Sequence, residues 1–249
     1  MSTWYQESFG KDYLLVYNHR NQQNAEQEVK QITEWLQLTA DDFILDLCCG
    51  TGRHTATLAM EHLNVVGLDL SPTLLSKAVS RNQQHKIPFI IGDMRHLPFV
   101  GETFDVVLNL FTSFGYFETD EENAQVIREV SRVLKSNGRF LMDYLNREYV
   151  IRHLVAMSER EQDGIYIQEE RSIQGDFVVK KITLSDKQGG ERTYTEQVKM
   201  YTYDQMIDML HRNGLRVNQT YGGFDGSPYH QNSPRMVLIG HDESLNRKG

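Results

Sequence analysis

Between about residue 22 and residue 145 the chain switches repeatedly between two hydrophobic periods, and that alternation restricts it to a parallel sheet with crossover helices. Val29, Ile32, Trp35 and Leu36 recur at helical spacing, residues 42–47 read as a short buried strand, and residues 52–61 as a helix. A second strand at 65–70 is followed by Ser71-Pro72, an N-cap with a first-turn proline, and a helix to about residue 83. Strands at 88–91 and 104–110 precede an amphipathic helix at 120–134, which Asn137-Gly138 stops before a fifth strand at 139–143.

The texture changes after residue 145. Over 159–201 polar residues alternate with Ile165, Ile167, Val178, Ile182, Leu184, Tyr194, Val198 and Met200, broken by Gly175 and Gly189-Gly190. This is the pattern of antiparallel strands joined by hairpin turns. Thr202-Tyr203-Asp204-Gln205 is a capping box opening a helix to Asn213-Gly214, and two last strands fall near 216–221 and 236–240. The β-rich piece therefore interrupts an α/β unit.

Composition narrows the setting. A net charge of −8 without a basic run disfavours nucleic acid as a partner. No apolar stretch approaches the ~18 residues of a membrane span. Residues 1–10 lack a basic region followed by an apolar core, so a cytoplasmic location is expected. The two cysteines, Cys48 and Cys49, are adjacent. Their Cα atoms lie ~3.8 Å apart, short of the ~4.4–6.8 Å usual for a disulfide, which makes them free thiols, and no metal site is expected.

The chemistry concentrates where strands end. Ile44-Leu45-Asp46-Leu47-Cys48-Cys49-Gly50-Thr51-Gly52 closes the first strand and opens a helix, where glycines let backbone approach a ligand and the helix N-terminus favours an anionic group. Asp69 ends the second strand, placed to accept both hydroxyls of a ribose, and Gly92-Asp93-Met94 ends the third, placed to meet an exocyclic amine. These sites converge on one crevice. Read as a nicotinamide-dinucleotide fingerprint, Gly50-x-Gly52-x-x-Thr55 lacks the third glycine and leaves Asp46 unexplained beside a pyrophosphate.

The segments around Asp46 to His54, Gly67-Leu68-Asp69-Leu70-Ser71-Pro72, Gly92 to Phe99 and Phe104-Asp105-Val106-Val107 closely resemble class I S-adenosylmethionine-dependent methyltransferases. Phe9 to Tyr13, Tyr17-x-His19-Arg20 and Ser233-Pro234-Arg235 resemble a bacterial small-molecule branch similar to the sugar N-methyltransferases and the glycine/sarcosine methyltransferases. The resemblance implies an α/β fold with a Rossmann-like, seven-stranded, mostly parallel sheet flanked by helices, carrying an inserted antiparallel β-rich cap. It divides the chain into an N-terminal helical lid (1–40), an S-adenosylmethionine-binding core (41–146), the cap (147–201) and a C-terminal completion of the core (202–249).

By the same resemblance, Asp46 with Gly50 and Gly52 holds the methionine end of the cofactor, and Cys48 stands at the family's first glycine. Asp69 takes the ribose with Leu70 on the adenine, Asp93 and Met94 read the adenine edge, and Asn109, Leu110 and Phe111 floor the sulfonium. Tyr13, Tyr17 and Arg20 resemble the family's lid over the cofactor.

The fourth strand is followed by Asn109-Leu110-Phe111-Thr112-Ser113 rather than the Asn/Asp-Pro-Pro-Tyr/Phe of amino-methylating DNA enzymes, which leaves a small-molecule amine or hydroxyl acceptor. Tyr116 and His230 are candidate catalytic residues, with a loop histidine left in solvent as the alternative for His230. Phe114, Tyr144, Tyr229 and Arg235 are candidate acceptor-binding residues, the arginine either clamping an acceptor anion or pairing with a carboxylate. A nicotinamide-dependent oxidoreductase and a catalytically inactive S-adenosylmethionine-binding protein are the competing functions. A monomer or a homodimer fits equally.

Overall fold

The computed structural model describes residues 4–17, 22–83 and 85–243. Three helices lead the chain: α1 (Trp4–Ser8), α2 (Lys11–Val16) and α3 (Gln22–Leu36). Five strands and three helices then alternate as β1 (Phe43–Leu47), α4 (Arg53–Met60), β2 (Asn64–Asp69), α5 (Pro72–Arg81), β3 (Phe89–Ile91), β4 (Phe104–Asn109), α6 (Asp120–Val133) and β5 (Leu134–Leu145). A short helix α7 (Arg147–His153) leads into β6 (Met157–Gln162), β7 (Ile165–Gln174), β8 (Phe177–Asp186) and β9 (Glu191–Lys199). The chain finishes with α8 (Tyr203–Arg212), β10 (Leu215–Tyr221) and β11 (Arg235–Asp242).

The main sheet has seven strands in the order β10-β11-β5-β4-β1-β2-β3. Strands β1 to β5 pair in parallel, whereas β11 runs antiparallel to both β5 and β10. Chain order runs outward from β1 in one direction and from β4 in the other, so the topological switch lies between them, where open α/β sheets bind ligands. Both faces of the central strands β1, β2 and β4 are covered, which is why they are apolar almost throughout. Ile44, Val106, Leu108 and Leu141 meet Val29, Ile32 and Leu36 of α3 and Leu58 of α4 on one face. Leu45, Leu47, Val107 and Phe140 meet Val126, Ile127 and Val130 of α6 and Leu210 of α8 on the other.

Side-chain caps mark the starts of α5, α6, α7 and α8. Ser71 Oγ accepts from Leu74 N at 3.1 Å at the start of α5, and Thr202 forms the full capping box of α8. Each such cap contributes about 1 kcal/mol. The Asn137-Gly138 turn falls inside β5 rather than before it. Asn137 takes φ +59° there, and the β4–β5 pairing shifts register between Phe104 and Val106 to absorb the kink.

Strands β6 to β9 form a separate antiparallel meander in sequence order. Their alternation places Ile167, Ile182 and Leu184 on one face, where Val16 of α2 packs against them. The meander is tied to the main sheet at one corner. Tyr144 donates its hydroxyl hydrogen to Lys199 O, and Lys199 N donates to Gly115 O at 2.7 Å. A side chain at position 115 would meet Lys199 O at 2.9 Å and the backbone there has φ +84°, so this corner requires glycine. No described helix is long and apolar enough to cross a membrane.

Candidate active site

The carboxyl ends of β1 and β2 are locked together through one acid. Asp69 Oδ2 accepts from Gly50 N and Oδ1 from Ser71 N, both at 2.8 Å, so a single carboxylate braces the loop after β1 and the entry to α5. The loop needs bracing because Cys48, Gly50 and Gly52 all take positive φ, at +63°, +58° and +71°. For Cys48 the left-handed region costs roughly 1–2 kcal/mol. Cys49 N donates to Leu68 O at 2.9 Å and Gly52 N to Cys49 O at 3.0 Å, which hold the turn against that strain.

Asp46 is buried near the end of β1, and its Oδ2 accepts from Thr55 Oγ1 of α4 at 2.5 Å. Burial raises the Asp46 carboxyl above the ordinary carboxylate range; the charges of His54 and Arg53 and the hydrogen bonds from Thr55 oppose the rise. Burial also raises Asp69, against the backbone N–H groups of Ser71 and Gly50. Both thiols rise well above their usual value through burial and the neighbouring carboxylates, which leaves them protonated and unreactive.

Asp93 behaves differently. Burial raises its carboxyl, but hydrogen bonds from Arg95 and the charge of that guanidinium more than cancel the effect and leave it below the ordinary range. Arg95 Nη2 lies 2.7 Å from Asp93 Oδ2, and the guanidinium sits 4.3 Å from the centre of the Phe117 ring.

These groups border two joined cavities. The smaller, about 70 Å³, is lined by Asp69, Leu70, Asp93, Met94 and Phe117. The larger, about 1220 Å³, runs from Asp46, Gly50, Gly52, Leu110 and Phe111 across to Lys180, Glu196 and Val198 of the antiparallel sheet. Tyr13, Cys48, Gly50 and Tyr116 border both. Burial, followed by the charges of Tyr13, Cys48 and Glu196, raises the Tyr116 phenol well above its usual value. Tyr116 thus borders both cavities as a neutral phenol.

Several expected site residues lie elsewhere. Arg20 falls outside the described residues. Asn109 is buried beneath the cleft rather than on its wall, with Nδ2 donating to Ser113 O at 3.3 Å. Phe114 and Tyr144 are fully buried core, packed edge-on at 5.9 Å. Tyr229 stacks on Tyr203 at 5.0 Å, and its hydroxyl lies 3.4 Å from Asn146 Oδ1.

His230 is exposed and away from the cleft. Asn146 Nδ2 ties the backbone of its loop at His230 O, 3.2 Å, and at Ser233 O, 2.8 Å, while the imidazole Nδ1 accepts from Asn232 N at 3.1 Å. The loop thus folds back on α7, and the imidazole stays in solvent. Arg235 does line the cleft, but Asp143, almost wholly buried, takes its guanidinium: Nε donates to Oδ1 at 2.7 Å and Nη2 to Thr112 Oγ1 at 3.0 Å. Of the six candidate catalytic and acceptor-binding residues, Tyr116 and Arg235 line the cleft.

Thr55, Lys180 and Glu196 were not among the expected site residues. Thr55 was legible, since it stands one turn into the helix after the glycines, facing back to Asp46. Lys180 and Glu196 carried no signal, being two polar residues among many on alternating strands.

Comparison with known proteins places the chain beside methyltransferases. Residues 44–138 match the family model of a methyltransferase domain. The chain is 38% identical over 117 residues to the demethylmenaquinone methyltransferase of Lactobacillus johnsonii, covering 44% of this chain and 46% of that protein. It is 30% identical over 139 residues to the dTDP-4-amino-2,3,4,6-tetradeoxy-D-glucose N,N-dimethyltransferase of Saccharopolyspora spinosa, covering 55% and 54%. The matches thus span about half the length of these two relatives. A S-adenosylmethionine-dependent methyltransferase from Clostridium acetobutylicum superposes with a TM-score of 0.78 at 20% identity, over 92% of this chain and 94% of that one, which shows a shared fold. Residues 44–138 are thus similar to a methyltransferase domain, and the chain shares the Rossmann-like fold of the S-adenosylmethionine-dependent methyltransferase from Clostridium acetobutylicum.

Proposed function

We propose that this chain transfers a methyl group from S-adenosylmethionine to an N–H or O–H group of a small-molecule acceptor by in-line displacement. The carrying observation is the convergence of Asp46, Asp69, Asp93 and the open backbone of Gly50 at neighbouring strand ends on one cleft. Its 1220 Å³ exceeds the ~300–1,000 Å³ of a site for one drug-sized ligand, leaving room for donor and acceptor together.

The residues present suit the cofactor. A Cβ built on Gly50 meets nothing within 4 Å, so the backbone there faces open space and can be approached closely. Each oxygen of Asp69 accepts one backbone N–H and keeps a lone pair for a hydroxyl. Asn109 Oδ1 is buried without a hydrogen-bond partner among the described residues, an acceptor left over beneath the Leu110-Phe111 floor.

In this reading Asp46 holds the amino group, the Gly50 and Gly52 backbone the carboxylate, Asp69 the ribose, and Leu70, Asp93 and Met94 the adenine. The bound cofactor supplies a methyl group already activated by its sulfonium. What remains for the protein is alignment and exclusion of water. Tyr13, Tyr116 and the Leu110-Phe111 floor supply apolar walls, and α1, α2 and the antiparallel sheet act as the lid. In this reading the exposed His230 imidazole takes no part in proton removal.

Calorimetry tests the first half of the reading. S-adenosylhomocysteine should bind and NAD should not; binding of NAD in preference would overturn the assignment. Purified protein, labelled donor and a panel of amines, alcohols and carboxylates test the second half. Transfer to carboxylates alone would exclude an N–H or O–H acceptor.

A further inference from the structure

The face of the antiparallel sheet that looks into the cleft carries a row of charges where packing alone would favour apolar residues. Arg171 on β7, Lys180 on β8 and Glu196 on β9 are direct cross-strand partners, and all three line the cleft. Lys180 Nζ lies 2.7 Å from Glu196 Oε2, with both side chains mostly buried. Tyr17 of the N-terminal segment closes the cluster. Its hydroxyl donates to Glu196 Oε2 at 2.6 Å, it contacts Lys180 Nζ, and its ring centre lies 4.5 Å from that ammonium. Arg171 is committed elsewhere, to Glu169 behind it and to Ser158 Oγ at 3.0 Å.

A half-desolvated ion pair of this kind adds little net stability, because the desolvation of both charges offsets their attraction. It does place a fixed carboxylate beside a fixed ammonium on the wall that a ligand meets. Oε2 of Glu196 already receives both Tyr17 and Lys180, whereas no hydrogen bond is formed by its Oε1 among the described contacts. A carboxylate retains about four acceptor sites in all. Across the cleft, Tyr116 stands between this carboxylate and the glycine-rich loop.

We propose that the Lys180–Glu196 pair is the specificity-determining element of the acceptor site, Glu196 accepting a hydrogen bond from the acceptor, Tyr17 holding that carboxylate in place and Lys180 offsetting its charge. The inference rests on the acceptor-site reading above and adds to it the charge of what is admitted. Neutral or cationic hydrogen-bond donors enter, and anionic groups are refused. Removing Glu196 unmasks Lys180 and inverts that preference; removing Lys180 sharpens it. A purely structural pair has no such opposed behaviour.

The test uses the full chain saturated with S-adenosylhomocysteine, with cyclohexylamine and cyclohexanecarboxylate as probes in ligand-observed NMR titrations. The native protein should prefer the amine. Glu196→Gln should weaken the amine by about tenfold or more, the scale of a hydrogen bond to a charged group, and strengthen the carboxylate. Lys180→Met should shift the two probes in the opposite senses. The variants' affinity for S-adenosylhomocysteine reports whether the cofactor site survives, and the double variant Lys180→Met/Glu196→Gln, which buries no lone charge, should bind the two probes alike. Shifts of the same sign for both probes, a native protein without preference, or a double variant that keeps the native preference would each overturn the proposal. Native protein that fails to bind S-adenosylhomocysteine would instead sink the cofactor reading.

Discussion

The two sheets of this protein use polar residues in opposite ways. At the centre of the seven-stranded sheet both faces are buried, so Asp46, Asp69, Asn109 and Asp143 stand out as polar residues in or ending apolar strands, all of them buried. In the four-stranded sheet polar residues recur at every second position, and Lys180 and Glu196 differ from their solvated neighbours only in the face they occupy. A functional side chain is conspicuous where the fold demands hydrophobicity and hidden where it permits polarity.

The largest expected effect tests whether a polar strand residue in the main sheet can be structural. Asp143→Ala removes the carboxylate that pairs with Arg235 and accepts from Phe111 N at 2.9 Å. Breaking such a buried pair from one side costs about 3 kcal/mol. Urea unfolding should show that loss, and a change below a tenth of it would mean the pair is solvated in solution.

Next comes Asp69→Ala, where the same sheet is expected to act on the cofactor. S-adenosylhomocysteine affinity should fall by about 1–3 kcal/mol, the range for a hydrogen bond to a charged group. Unchanged affinity would reduce Asp69 to a brace for the loop after β1.

The pH dependence separates binding from folding at the same acids. Burial raises the Asp46 and Asp69 carboxyls in the folded chain, so between the unfolded and folded values the native state holds more protons than the unfolded one. Their contribution to stability therefore declines as pH rises through that window. Cofactor affinity should do the opposite, because an amino group and a ribose diol need ionised acceptors. On lowering the pH from about 7 to about 4, still above the ordinary Asp value, calorimetry should show affinity falling before the fold is lost. Asp93, held low by Arg95, should take no part in that range.

The smallest effect is expected at His230, which sequence reasoning placed at the reaction. His230→Gln should change stability and methyl transfer by no more than about 0.5 kcal/mol, the range for a surface substitution. Loss of an ionisation from the pH–rate profile would return the imidazole to the site.

The sequence alone determined the sheet-and-helix order, the separate antiparallel insert, and the loop where Gly50 and Gly52 meet Asp46, Asp69 and Asp93. Each of these is encoded locally: a hydrophobic period, a cap, or a glycine within a few residues of a strand end. It did not determine which long side chains share the cleft. Tyr229 and His230 lie on the loop that reaches Arg235, yet Asn146, more than eighty residues earlier, turns that loop away. Phe114 and Tyr144 sit close to cleft residues in sequence but point into the core. Lys180 and Glu196, far from every motif, arrive because a cross-strand register and the docking of α2 bring them there with Tyr17. Direction across a sheet follows from period two and is readable in a chain, but which face becomes the roof of a cleft is settled only when a second layer packs against it.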